Sequence, residues 1–98
     1  MKTFPEIREI LHSHENDLLS KFGIIGLSVF GSVVRGETRE DSDIDILVNF
    51  NCPVGLLKLI DAENYLSDLL GSKVDLIPFD EVRPELQEQI YNEAVQVC

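Results

Sequence analysis

The stretch Gly31-Ser32-Val33-Val34-Arg35-Gly36-Glu37-Thr38-Arg39-Glu40-Asp41-Ser42-Asp43-Ile44-Asp45 decides how the chain is read. It lies between two apolar runs. Ile24 to Phe30 is short and partly β-branched, so it reads as a strand. Asp43 to Val48 alternates and is rich in Ile, Leu and Val, so it reads as a second strand. Gly31-Ser32 ends the first strand. Ser32 to Arg35 fits one helical turn closed by Gly36, and Glu37 to Ser42 is polar and reads as a loop. The link is too short for a full crossover helix, which takes about a dozen residues or more, so the two strands are expected to be antiparallel neighbours.

Upstream, Thr3 and Glu6 form a capping-box pattern with Pro5 in the first turn. Ile7, Ile10, Leu11, Leu18 and Leu19 follow at helical spacing with His14 in mid-stripe, which predicts one helix from Pro5 to Lys21, stopped near Gly23. Downstream, Val54 to Leu70 carries Leu56, Leu59, Ile60, Leu66, Leu69 and Leu70 at helical spacing, and the stripe is assigned to the core. Gly71 stands at the helix end. Lys73 to Ile77 reads as a third strand, with room before it for a crossover helix and hence for a parallel pairing. Pro84 opens a last helix through about Ala94, and Val95 to Val97 reads as a short edge strand. Strands interleaved with helices predict an α/β (α+β) layer structure, a small mixed sheet flanked by helices.

A chain of 98 residues, 44% hydrophobic and 27% charged, reads as one globular domain over residues 1–98. No apolar run approaches the roughly 18 residues of a membrane span, and Met1 to Glu6 lacks a signal-peptide pattern, so the expected location is the cytoplasm. Eight basic residues against 18 acidic ones give a net charge of −10. Such a surface repels phosphate backbones and argues against direct nucleic-acid binding. It serves solubility, and it suits a basic protein partner or a site that gathers divalent cations. Cys52 and Cys98 are read as reduced bystanders, and His12 and His14 as surface residues.

Alternate strand residues share a face, so Asp43 and Asp45 point together while Ile44 and Ile46 point the other way. Two such carboxylates repel each other unless a cation lies between them, and Mg²⁺ is the usual cation for oxygen-only ligands. Asp75 stands alone in an apolar strand, and beside the second strand it completes a three-carboxylate cluster suited to metal-assisted phosphoryl or nucleotidyl transfer. At Gly31-Ser32 a strand turning into a helix exposes amides to phosphate oxygens, Ser32 adds a hydroxyl and Arg35 a charge. Taken singly, each feature has a plain explanation: Gly-Ser is a turn, Asp-x-Asp can be a solvated strand face, Asp75 can pair with Lys73 or Arg83, and Arg39 can offset nearby acids. Their joint occurrence points to a metal and phosphate site.

At these residues the chain resembles the nucleotidyltransferase superfamily that includes DNA polymerase beta, and more closely its minimal nucleotidyltransferases (MNT). The resemblance rests on Gly31-Ser32, Asp43, Asp45 and Asp75, with Arg35-Gly36-Glu37, Asp41-Ser42, Arg83-Pro84-Glu85-Leu86 and Ile90 to Val95 in support. It implies the palm-like core of that superfamily. It implies that Asp43 and Asp45 hold both metals, that Asp75 binds one and helps activate the acceptor hydroxyl, and that Gly31 and Ser32 hold the triphosphate of ATP. It further implies a HEPN-type helical toxin as partner and an antitoxin that moves AMP onto that partner. The competing expectations are neutralisation by docking alone and transfer to a small molecule such as an aminoglycoside.

Overall fold

The N-terminal helix starts where its cap is strongest. The Thr3 hydroxyl accepts a hydrogen bond from the Glu6 amide at 3.4 Å, with Pro5 in the first turn. In the computed structural model, which describes residues 3–31, 34, 36 and 43–97, α1 (Phe4–Ser13) is followed by a separate α2 (Glu15–Phe22). The single helix predicted from Pro5 to Lys21 is thus broken at His14. In an unbroken helix the Ile10 carbonyl would accept from the His14 amide. Here it accepts instead from the His14 ring at 2.8 Å and the Ser13 hydroxyl at 2.9 Å, and the His14 amide turns to the Leu11 carbonyl at 3.2 Å. Leu18 of α2 is buried while Leu19 is exposed, contrary to its place in the predicted apolar stripe.

Four strands form one sheet in the order β3-β2-β1-β4. β1 (Ile24–Phe30) runs antiparallel to β2 (Ile44–Phe50), as their short connection requires. The crossover from β2 passes through α3 (Leu56–Leu70) and returns in β3 (Val74–Pro78), which pairs parallel to β2. A 3₁₀ turn (Phe79–Glu81) leads to α4 (Pro84–Glu93), and β4 (Val95–Gln96) closes the far edge antiparallel to β1. The mixed sheet expected from the strand and helix order is the one observed.

The two faces of the sheet differ in chemistry. On one, Ile7, Leu11 and Leu18 from the N-terminal helices and Ala62, Leu66 and Leu70 from α3 pack against Leu27, Val29, Ile44, Ile46, Val48, Val74 and Leu76. On the other, Phe30, Leu47 and Val82 form a small cluster, joined by Ile77 and by Ile90, Tyr91 and Ala94 from the C-terminal segment. The period of two along β2 produces this split, with even positions turned to the large core and Asp45 and Leu47 to the other side. No helix among the described residues is long and apolar enough to cross a membrane.

The α3 stripe departs in part from its assignment to the core. Leu66 and Leu70 are buried and Leu59 and Leu69 pack partly, but Leu56 and Ile60 are exposed. A 15-residue helix runs about 22 Å, whereas the five residues of β3 reach about 17 Å, so the first turn overhangs the strand it covers.

Candidate active site

The sheet register gathers the acidic residues. Asp45 is the direct partner of Asp75 across the parallel β2–β3 pair, and on the antiparallel side Asp45 faces Phe30. The parallel pairing puts the two carboxylates side by side on the face that carries the smaller apolar cluster. Asp43 lies just before β2, on the same side as Asp45 by the strand period, and its carboxyl hydrogen-bonds that of Asp75. A hydrogen bond between two carboxyls needs a proton on one of them.

Asp75 is accordingly held above its ordinary value of 3.8. Burial contributes most, then the charge of Asp43, the charge of Glu63 and the hydrogen bond that protonated Asp75 donates to Asp43, while Lys73 pulls in the other direction. The Lys73 ammonium reaches Asp43 at 3.9 Å. With the lysine side chain 72% exposed, that long pair contributes little to stability. Of the two pairings open to Asp75 from the sequence, Lys73 is the cation that acts on it, through space.

Gly31 follows β1 directly and has φ +82°, a left-handed conformation that L side chains rarely adopt. A Cβ placed there would lie 2.6 Å from Asp45 Oδ2. Glycine is therefore required twice, by the backbone turn and by the close approach of the Asp45 carboxylate. The structure thus brings Gly31, Asp43, Asp45 and Asp75 to one place. Ser32 and Arg35, and the helical turn expected across them, lie outside the described residues. Among the described residues, no three His, Cys, Asp or Glu side chains stand as a closed metal cage. Asp43 reaches both Asp75 and Lys73.

Two polar residues that the sequence reading did not single out support this edge of the sheet. Glu63 Oε2 accepts from the Leu76 amide at 3.0 Å, and the Ser67 hydroxyl accepts from the Val74 amide at 3.0 Å. The only trace of them in the sequence is a pair of polar residues four apart, bordering an apolar helical stripe.

Comparison with known proteins bears on what this arrangement is. The family profile described as nucleotidyltransferase domain matches residues 11–97. A candidate protein adenylyltransferase of Methanocaldococcus jannaschii is 46% identical over 98 residues, covering 99% of this chain and all of the relative. Protein adenylyltransferase MntA of Thermococcus cleftensis is 44% identical over 97 residues, covering 99% of this chain and 98% of the relative. Among solved structures, a candidate minimal nucleotidyltransferase superposes with a TM-score of 0.77 at 36% identity, covering 96% of this chain and 95% of that one. A chain from the complex of a tri-AMPylated Shewanella oneidensis HEPN toxin with MNT antitoxin shares the fold, with a TM-score of 0.66 at 20% identity over 93% of this chain and 71% of that one. The register that pairs Asp45 with Asp75 is thus set within a polymerase beta-like fold, and the chain belongs to the nucleotidyltransferase family, as an enzyme of its minimal nucleotidyltransferase group.

Proposed function

We propose that this chain transfers AMP from ATP to a hydroxyl group of a HEPN-class partner protein in the cytoplasm, and that it acts thereby as an antitoxin, with residues 1–98 as one catalytic domain. The names of the relatives support the transfer to protein, and the HEPN toxin–MNT antitoxin complex supports the partner class. The net charge of −10 suits a basic protein surface and disfavours a nucleic-acid acceptor.

The site residues divide the work. Asp43, Asp45 and Asp75 would hold one or two Mg²⁺ ions, and their donor set, made of oxygen alone, fits a small hard cation. The carboxyl pair of Asp43 and Asp75 supports that fit, because a cation can take the place of the proton the two must otherwise share. When bound, Mg²⁺ supplies charge neutralisation on the triphosphate. Gly31 lets the Asp45 carboxylate lie against the backbone at the end of β1, and Ser32 and Arg35 would offer a hydroxyl and a positive charge to the phosphates. The acceptor oxygen attacks the α-phosphorus of ATP, its proton passes to Asp75, and the bond from the α-phosphorus to pyrophosphate breaks. Positioning and charge neutralisation account for most of the acceleration.

The observation that carries this reading is the register pairing of Asp45 with Asp75 beside a glycine that admits no side chain. Incubation with Mg·ATP labelled at the α-phosphate and a HEPN-class protein from the same organism tests it. Label is expected on that protein with the wild type and none with Asp45→Asn. Equal labelling by Asp45→Asn would overturn the assignment, and tight binding without label would make the protein a docking antitoxin.

A further inference from the structure

We infer that Glu63 and Ser67, one turn apart on α3, are positioning residues that keep Asp75 in line with Asp45 by gripping the outer edge of β3. The inference rests on the reading of Asp75 as part of the transfer site and adds the device that holds it there.

β3 is an edge strand of only five residues. Its inner side is tied to β2, where the Ile44 amide donates to the Lys73 carbonyl at 2.9 Å. The amides of Val74 and Leu76, immediately before and after Asp75, are both taken by side chains of α3. Val74 donates to Ser67 Oγ and Leu76 to Glu63 Oε2, each at 3.0 Å. Val74 and Leu76 are buried, so their amides need protein acceptors. Supplying those acceptors from α3 also fixes the strand to the helix on both sides of one residue. The Ser67 acceptor is itself anchored, since its hydroxyl donates to the Glu63 backbone carbonyl at 2.8 Å. Spaced four apart, the two side chains lie on the same flank of the helix.

The site depends on that fixation. Slipping β3 by one residue would turn Asp75 to the opposite face of the sheet, among the residues of the large core. A smaller displacement would be felt as well, because a misplacement of about 1 Å can lower turnover on the order of a hundred-fold. A short edge strand resists neither by itself. Bonded to β2 on one side and to Glu63 and Ser67 on the other, it is held across its full width at Asp75.

The test compares Glu63→Ala, Ser67→Ala and the conservative Glu63→Gln, whose amide oxygen still accepts from Leu76. Turnover is measured by α-labelled AMP transfer from Mg·ATP to a HEPN-class protein from the same organism, and amide hydrogen exchange is measured at Val74 and Leu76. Glu63→Ala is expected to lower kcat by about ten-fold or more with little change in KM for ATP, and to speed exchange at Leu76. Glu63→Gln is expected to restore both. Ser67→Ala, the second handle should Glu63→Ala fold poorly, is expected to lower kcat and speed exchange at Val74. Unchanged kcat in the folded alanine variants with faster exchange would overturn the positioning role, and so would a Gln variant as impaired as the Ala one. Asp75→Asn separates this from the underlying reading. Full turnover in Asp75→Asn would contradict the transfer site itself, whereas its loss alongside an active Glu63→Ala would contradict only the clamp.

Discussion

The two faces of this four-stranded sheet are built from the same strands, one residue out of phase, and they serve opposite ends. The face under α1, α2 and α3 is apolar and closed, with Ile7, Leu11, Ile44, Ile46, Leu66 and Val74 all at 0% exposure. The other carries a patch of three buried side chains, Phe30, Leu47 and Val82, and next to it Asp43, Asp45 and Asp75, which stay partly accessible. Burial on the first face supplies most of the stability, at roughly 25 cal/mol per Å² of apolar surface. The second face can therefore carry a group of mutually repelling carboxylates, which burial and proximity make costly when all are charged. Substitutions on the two faces should separate accordingly, the one set reading out in stability and the other in chemistry.

The largest separation is expected at Asp45. Asp45→Asn should lower AMP transfer by more than about a hundred-fold, since even residues behind metal ligands cost ten- to a hundred-fold, while thermal melting stays at or above the wild-type midpoint. A midpoint well below wild type would mean that the acidic face also holds the fold together. On the closed face, Leu66→Ala should cost about 2–5 kcal/mol by urea denaturation and leave transfer per folded molecule near wild type. Gly31→Ala crosses the divide. It forces a Cβ into the left-handed backbone and against the Asp45 carboxylate, so it should cost about 1–3 kcal/mol and lower transfer too.

How far these two faces were legible beforehand varies along the chain. β1 from Ile24 to Phe30, the antiparallel β1–β2 pair and the parallel β3 followed from apolar patterning and link length. The carboxylates were legible because Asp is out of place in an apolar strand, so each stands out against its neighbours. The break at His14 was not legible, since it rests on which donor captures the Ile10 carbonyl rather than on any spacing. Exposure of Leu56 and Ile60 was hidden for a different reason: an apolar period reports which residues share a helix face, not whether that face reaches past its strand. Glu63 and Ser67 were invisible because their role comes from an edge strand 7 to 13 positions away.

A smaller effect should appear in the pH dependence of stability with metal removed by EDTA. The folded state holds a proton on Asp75 more tightly than the unfolded chain, whose carboxyl titrates near 3.8. The native form therefore binds more protons between that value and the raised native one, and the contribution of Asp75 to stability falls as pH rises through the window. Asp75→Asn should remove that fall, so its melting midpoint relative to wild type should climb across the window and then level off. A constant difference would show that burial and Asp43 do not act on Asp75 as described. The smallest effect belongs to the overhanging turn of α3, where Leu57→Ser at an 80% exposed position should change stability by no more than about 0.5 kcal/mol.

Intact-mass analysis of a HEPN-class protein from the same organism, after incubation with Mg·ATP and either the wild type or Asp75→Asn, bears most directly on the acidic face. The account predicts an AMP adduct from the wild type and none from a folded Asp75→Asn. An adduct of equal extent from the variant would contradict it.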